Sequence, residues 1–253
     1  MNLINGECLE ELKTIEDKSV DCFICDLPYG TTSCKWDKKI DLEKLWIEMK
    51  RIARNNKTPF FFFCDMKLAV DLINSNRKWF RYELIWYKPN SSCGHLNSGK
   101  MPMKNHELLL VFYKNLPVYN KERYHKKIAE VDYEDVSSDK VNVYGKHTTT
   151  SYYRHGKLYD VKLPMSVLEI PVENKMSPNK RFHQTQKPQQ ILEWIIKYYS
   201  NEGDTILDPT MGSGSTGVAC KTLNRNFIGI ELDNEYFDVA NERIGGADIV
   251  QFD

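Results

Sequence analysis

The chain has 253 residues, 41% of them apolar and 12% aromatic, enough for one large α/β domain with an insertion or a small subdomain. It has no run near the roughly 20 apolar residues that span a bilayer, and Met1-Asn2-Leu3-Ile4-Asn5-Gly6-Glu7 is no signal peptide. Membrane and secreted classes are therefore set aside, and seven cysteines without framework spacing point to a reducing cytoplasm.

The formal net charge of zero hides an asymmetry. Residues 77–127 hold eleven Lys/Arg against three acids, leaving 24 Lys/Arg and 32 Asp/Glu elsewhere. A cationic stretch in an otherwise acidic chain suits a polyanion as well as it suits plain solvation. Trp86, Tyr87, Tyr113, Tyr119 and Tyr124 within it tilt the balance toward nucleic acid, because aromatic rings stack on bases.

In chain order, residues 20–25 read as a strand and 42–53 as an amphipathic helix by their apolar spacing. A buried strand over 60–64, a helix around 67–75 and strands over 82–87 and 107–113 follow. From about 114 to 182 the pattern deteriorates into a polar, Tyr- and Lys-rich stretch, read as an inserted recognition region of loops and short strands. Alternation then resumes: helix 190–199, strand 205–207, helix 215–223, strand 226–230 and helix 234–244. Such alternation implies parallel strands with crossover helices. The division is thus 1–113, 114–182 and 183–253, the first and last being halves of one domain.

Two loops carry the chemistry. Asp26-Leu27-Pro28-Tyr29 follows the first strand, and Asp208-Pro209-Thr210-Met211-Gly212-Ser213-Gly214 follows strand 205–207. Both leave carboxyl ends of strands, where open α/β sheets build their binding crevices. Gly212-x-Gly214-x-x-Gly217 opens a helix and satisfies a nicotinamide-dinucleotide fingerprint as well as an adenosyl one. Glu231, at the end of the next strand, suits ribose hydroxyls in either case. Asp208 separates the two, since a cationic sulfonium-bearing amino acid wants a carboxylate there and a pyrophosphate is repelled by one. In His183-Gln184-Thr185-Gln186-Lys187-Pro188, Thr185 and Lys187 are placed to hold the cofactor's carboxylate.

The first loop suits methylation of an exocyclic amine, a poor nucleophile whose lone pair is delocalised into the ring. Asp26 and the carbonyl of Leu27 would accept its two N–H groups, Pro28 would stiffen the turn, and Tyr29 would stack on a flipped base. Cys22-x-x-Cys25 lies on a strand without a second pair and reads as core, so no metal is expected.

Taken together, these residues resemble the β-arranged DNA amino-methyltransferases: catalytic motif first, target-recognition region central, glycine-rich motif last. Trp86-Tyr87-Lys88, Asn105-His106-Glu107 and Thr185-Gln186-Lys187-Pro188 extend the match. So does Asn5-Gly6-Glu7, whose acid in the family contacts the cofactor adenine. The resemblance implies a Rossmann-like S-adenosylmethionine-dependent methyltransferase fold, mixed and mostly parallel with helices on both faces. It also implies S-adenosylmethionine as cofactor, double-stranded DNA as partner and a homodimer as the form many members adopt.

Members of that family with Asp at the first catalytic position usually methylate adenine N6, so the resemblance at Asp26 implies adenine N6, with N4-cytosine and RNA adenine as alternatives. An NAD-binding oxidoreductase and an inactive DNA-binding module are the readings from other classes. Four positions depart from the family pattern: Leu27 for proline, Glu7 for Asp, Gln184 for proline and Thr210 for phenylalanine. The short form of the catalytic loop is similar to that of orphan methyltransferases of phages and prophages.

Overall fold

The computed structural model describes residues 1–30, 39–120, 164–173 and 186–246, together with the backbone of 133–142 and 145–154. It divides into two compact units, Met1–Asn120 with Met165–Asp253, and Lys121–Pro164. The second is narrower at both ends than the 114–182 stretch read as an insertion. Its described part is an antiparallel hairpin of two ten-residue strands, β6 (Tyr133–Asn142) and β7 (Gly145–Arg154).

The first unit is a three-layer α/β body. Its strands are β1 (Asn2–Asn5), β2 (Cys22–Cys25), β3 (Phe60–Cys64), β4 (Phe80–Tyr87), β5 (His106–Phe112), β8 (Val167–Glu169), β9 (Thr205–Asp208) and β10 (Asn226–Glu231). They form one sheet in the order β1-β10-β9-β2-β3-β5-β4-β8. Seven point the same way, and β5 alone is antiparallel to its neighbours. This is the mixed, mostly parallel sheet that the family resemblance implies.

β2 and β3 are buried throughout, as central strands covered on both faces must be. Their side chains alternate between two cores. Phe23, Cys25, Phe60 and Phe62 pack with the helices α1 (Cys8–Leu12), α2 (Leu42–Ile52) and α3 (Met66–Ser75). Cys22, Ile24, Phe61 and Phe63 pack with α4 (Gln189–Tyr199), α5 (Ser215–Thr222) and α6 (Asn234–Gly246). Cys22 and Cys25 therefore sit on opposite faces, and no group of residues among those described could hold a metal ion. Nor, among the described residues, is any helix long and apolar enough to cross a membrane.

Local signals set the element ends. Asp41 caps α2 by accepting from Glu43 and Lys44 N–H, and Asp65 caps α3 by accepting from Leu68 N–H at 2.9 Å. Boundaries match the sequence reading within one or two residues, but β1, α1 and β8 lay outside it. They are short, and β1 and β8 are the two outermost strands of the sheet.

Part of the basic, aromatic stretch is core rather than surface. Trp86 is 2% exposed and donates from Nε1 to the Ile170 carbonyl at 2.8 Å, so it cannot stack on a base. Tyr113 packs on Tyr82 and lies under the Arg81 guanidinium, while Tyr119 stacks on Tyr198. Tyr124 lies outside the described residues.

Candidate active site

β9 and β2 are neighbours in the sheet, paired Cys22 with Ile206 and Phe23 with Leu207. From β9 the chain proceeds outward through α5 to β10, and from β2 it proceeds the other way through α2 to β3. Their shared edge is thus the topological switch point, and the crevice forms beyond its carboxyl ends. The two loops singled out in the sequence leave from those ends. They are clasped together: Thr210 Oγ1 donates to the Asp26 carbonyl at 3.0 Å. A phenylalanine at 210 could not make this bond.

In the glycine loop, Asp208 is buried and both its carboxylate oxygens are held. Oδ1 accepts from Thr210 N–H at 3.1 Å and Oδ2 from the Thr216 hydroxyl at 2.7 Å. Burial pushes its carboxyl up to about 7, with Thr216 and Thr210 pulling the other way. Gly212 and Gly214 have φ of +51° and +78°, a region glycine enters without penalty. A Cβ on Gly212 would meet nothing within 4 Å, so this backbone faces open space. Gly217 instead serves packing, because a Cβ there would lie 2.4 Å from Ile244.

Glu231 ends β10, and its oxygens accept from Gly212 N–H and Asp233 N–H, each at 2.8 Å. Burial raises its carboxyl against these donors. Glu7 is exposed just after β1, which pairs Asn5 with Glu231, so it lies at the same edge of the sheet. It caps α1 by accepting from Glu10 N–H at 3.0 Å. Arg243 of α6, which sequence reading missed, donates to Ser213 Oγ at 2.9 Å and to the Ser213 carbonyl, tying the loop to the last helix.

In the Asp26–Tyr29 loop, Leu27 is 2% exposed and packs into the core, so apolar bulk is what this position uses. Tyr29 packs against the same core, and its hydroxyl lies 3.5 Å from Asp26 Oδ1. The Asp26 side chain is 25% exposed, accessible from the crevice, and its Oδ2 accepts from Lys187 Nζ at 2.7 Å. Burial pushes the Asp26 carboxyl above its usual range, opposed by Lys187 and reinforced by Glu107.

Lys187, expected at the cofactor's carboxylate, is buried with its ammonium between Asp26 and Glu107 Oε2 at 3.4 Å, over the Phe63 ring. Burial opposes its charge, but the two carboxylates outweigh burial and keep it protonated. Lys88 pairs with Glu107 in turn. Thr185 lies outside the described residues.

The raised Asp208 carboxyl has a measurable consequence. Its native value of about 7 lies above the ordinary 3.8, so the native state holds its proton where the unfolded chain has lost it. Stability from this group is intact below pH 4 and falls as pH rises toward 7, by up to about 4 kcal/mol. Asp208→Asn, which can still accept from Thr210 and donate to Thr216, should remove that slope. Urea melts at pH 5 and pH 8 check it, and parallel slopes for both proteins would refute it.

A family model described as DNA methylase matches residues 20–242. The Type II methyltransferase M.HpaI of Haemophilus parainfluenzae is 29% identical, covering 96% of this chain and 73% of that protein. The DNA adenine methyltransferase YhdJ of Escherichia coli (strain K12) is 26% identical, covering 96% and 82%. A crystal structure of an M1.HpyAVI–SAM complex superposes with a TM-score of 0.63 at 24% identity, covering 96% of this chain and 98% of that one. The cytosine-N4-specific PvuII DNA methyltransferase gives 0.65 at 14% identity, covering 95% and 85%.

Proposed function

The chain belongs to the DNA methylase family, and from that premise we propose that it transfers a methyl group from S-adenosylmethionine to adenine N6 in duplex DNA. The observation that carries this reading is the junction of β2 and β9, where Asp26 and the Gly212–Gly214 loop are joined by the Thr210 hydrogen bond. The choice of adenine rests on Asp26 at the first catalytic position and on the likeness to YhdJ.

The residues present fit the cofactor. Gly212 leaves its backbone open to close approach, the Glu231 carboxylate suits two ribose hydroxyls, and Asp208 offers negative charge behind the loop. A cation there favours the ionised form of Asp208, so binding should draw its carboxyl down from about 7. Glu7 would meet the adenine edge, while Thr210 and Gly214 would complete the cradle. Bound there, S-adenosylmethionine supplies an electrophilic methyl on its sulfonium sulfur.

The protein's part is geometric and electrostatic. Asp26 Oδ1 carries the Tyr29 hydroxyl only at 3.5 Å, beyond the usual O–H···O length, and so keeps acceptor capacity for one N–H of the target amine. The Leu27 carbonyl takes the other, Pro28 holds the turn stiff, and Tyr29 stacks on the extruded base. As the nitrogen gains a methyl it acquires positive charge, which the Asp26 carboxylate stabilises, and the proton then shed has that carboxylate as its nearest base.

Sequence discrimination is assigned to residues 114–182, and Lys100 and Lys104 of the β4–β5 loop meet phosphates beside the crevice. The same reading carries a homodimer working in the cytoplasm, tested by light scattering with and without duplex.

Long-read modification sequencing of DNA from cells expressing the protein tests the whole reading. N6-methyladenine at one discrete sequence is the expected result. N4-methylcytosine would overturn the base assignment, and unmodified DNA the activity.

A further inference from the structure

Lys88, Glu107, Lys187 and Asp26 form a line of alternating charge that leads from the β4–β5 hairpin to the catalytic loop. Glu107 stands opposite Trp86 in the ladder, and Leu108, Leu109 and Leu110 follow it on the same strand. Burying charges costs several kcal/mol each, and well-packed apolar side chains commonly serve stability as well or better. A carboxylate placed at the head of the apolar run Leu108–Phe112 therefore calls for a role that packing does not supply.

Its contacts say what that role is. Glu107 Oε1 takes Lys88, while Oε2 is buried without a hydrogen bond and has the Lys187 ammonium at 3.4 Å. Lys187 donates at 2.7 Å to one oxygen only of Asp26, Oδ2, so it orients that carboxylate and leaves Oδ1 toward the crevice. A lone lysine here would orient Asp26 and also cancel the charge that stabilises the amine. A second carboxylate on the far side of the lysine restores negative potential without touching substrate.

We propose that Glu107 is a positioning residue for methyl transfer: it anchors Lys187, which fixes Asp26 through Oδ2 with Oδ1 free for the target amine. This rests on the reading of Asp26 as acceptor of that amine.

A double-mutant cycle tests it, with single-turnover transfer rates and separately measured affinities for duplex and S-adenosylmethionine. Glu107→Gln should slow transfer about 10- to 100-fold, with both affinities within threefold of the parent. In a Lys187→Gln background the same change should cost nothing further, because its route to Asp26 is gone. Glu107→Asp, which keeps the charge, should recover part of the rate, and it replaces Glu107→Gln in the cycle if that protein does not fold.

A Glu107→Gln rate within twofold of the parent overturns the inference, as do losses that multiply with those of Lys187→Gln. Asp26→Ala in the same assay separates the two levels. If it is inactive while Glu107→Gln is unimpaired, the relay alone fails. If it is active, the role of Asp26 fails and the relay with it.

Discussion

Asp26→Ala should slow methyl transfer by at least ~10³-fold while leaving duplex affinity within a few fold. The carboxylate lies at the crevice with one oxygen held by Lys187 and the other facing, among the described residues, the distant Tyr29 hydroxyl. In the proposed mechanism, removing it takes away the acceptor that draws the amine toward tetrahedral geometry, a contact needed most at the transition state. It contributes nothing to phosphate contacts, so binding should persist. Asp26→Asn keeps the shape and one acceptor but not the charge, and should fall between the two. Single-turnover rates beside fluorescence anisotropy on the same duplex would show the split. Equal loss in affinity and rate would recast Asp26 as a binding residue.

Gly214→Val should destabilise the domain by about 3–5 kcal/mol, a large share of what a domain of this size has to spare. The residue sits at φ +78° as the N-cap of α5, a conformation that β-branched side chains scarcely adopt. A Cβ there would also lie 2.9 Å from Ala240 Cβ and 3.1 Å from its Cα, and backbone cannot swing aside. Strain and overpacking of this kind each cost about 1–3 kcal/mol. Denaturant melts read the loss directly. Gly212→Ala provides the contrast, since its Cβ meets open space and only the φ of +51° opposes it. That variant should fold nearly as well as the parent, and a cofactor titration should then show the defect.

The periodic parts of the fold were legible because period and burial coincide. Phe60 to Phe63 alternate between two cores, and α2 and α4 each bury one face. The loops were legible because glycine and aspartate at strand ends have few other uses. Charge was harder to read, since a count along the chain carries no position. Arg77, Lys78, Arg81 and Lys114 flank the amino end of β4 and the carboxyl end of β5, at the end of the sheet opposite Asp26. Lys88 is committed to Glu107. Among the described basic residues of that stretch, Lys100 and Lys104 are left, in the β4–β5 connection at the same end of the sheet as Asp26. Thr210 looked like a departure from a family pattern, and its hydroxyl turns out to tie the two loops together. Arg243 and Glu173 left no signal, because each acts on backbone groups far away in sequence: Glu173 accepts from Gln189 N–H at the start of α4.

The order of synthesis runs against this architecture. β1, β2 and β4 precede residue 121, yet their partners β10, β9 and β8 all follow residue 164. Until Asp208 has left the ribosome, the fully buried strand Cys22–Cys25 has one bare edge, with its backbone groups unpaired. The first half of the chain is thus an unfinished sheet for most of translation, open to wrong pairing with other nascent copies. The sheet is complete only when residues 165–231 have arrived and closed three seams in turn, so a product truncated before them carries the Asp26–Tyr29 loop and no crevice to hold it.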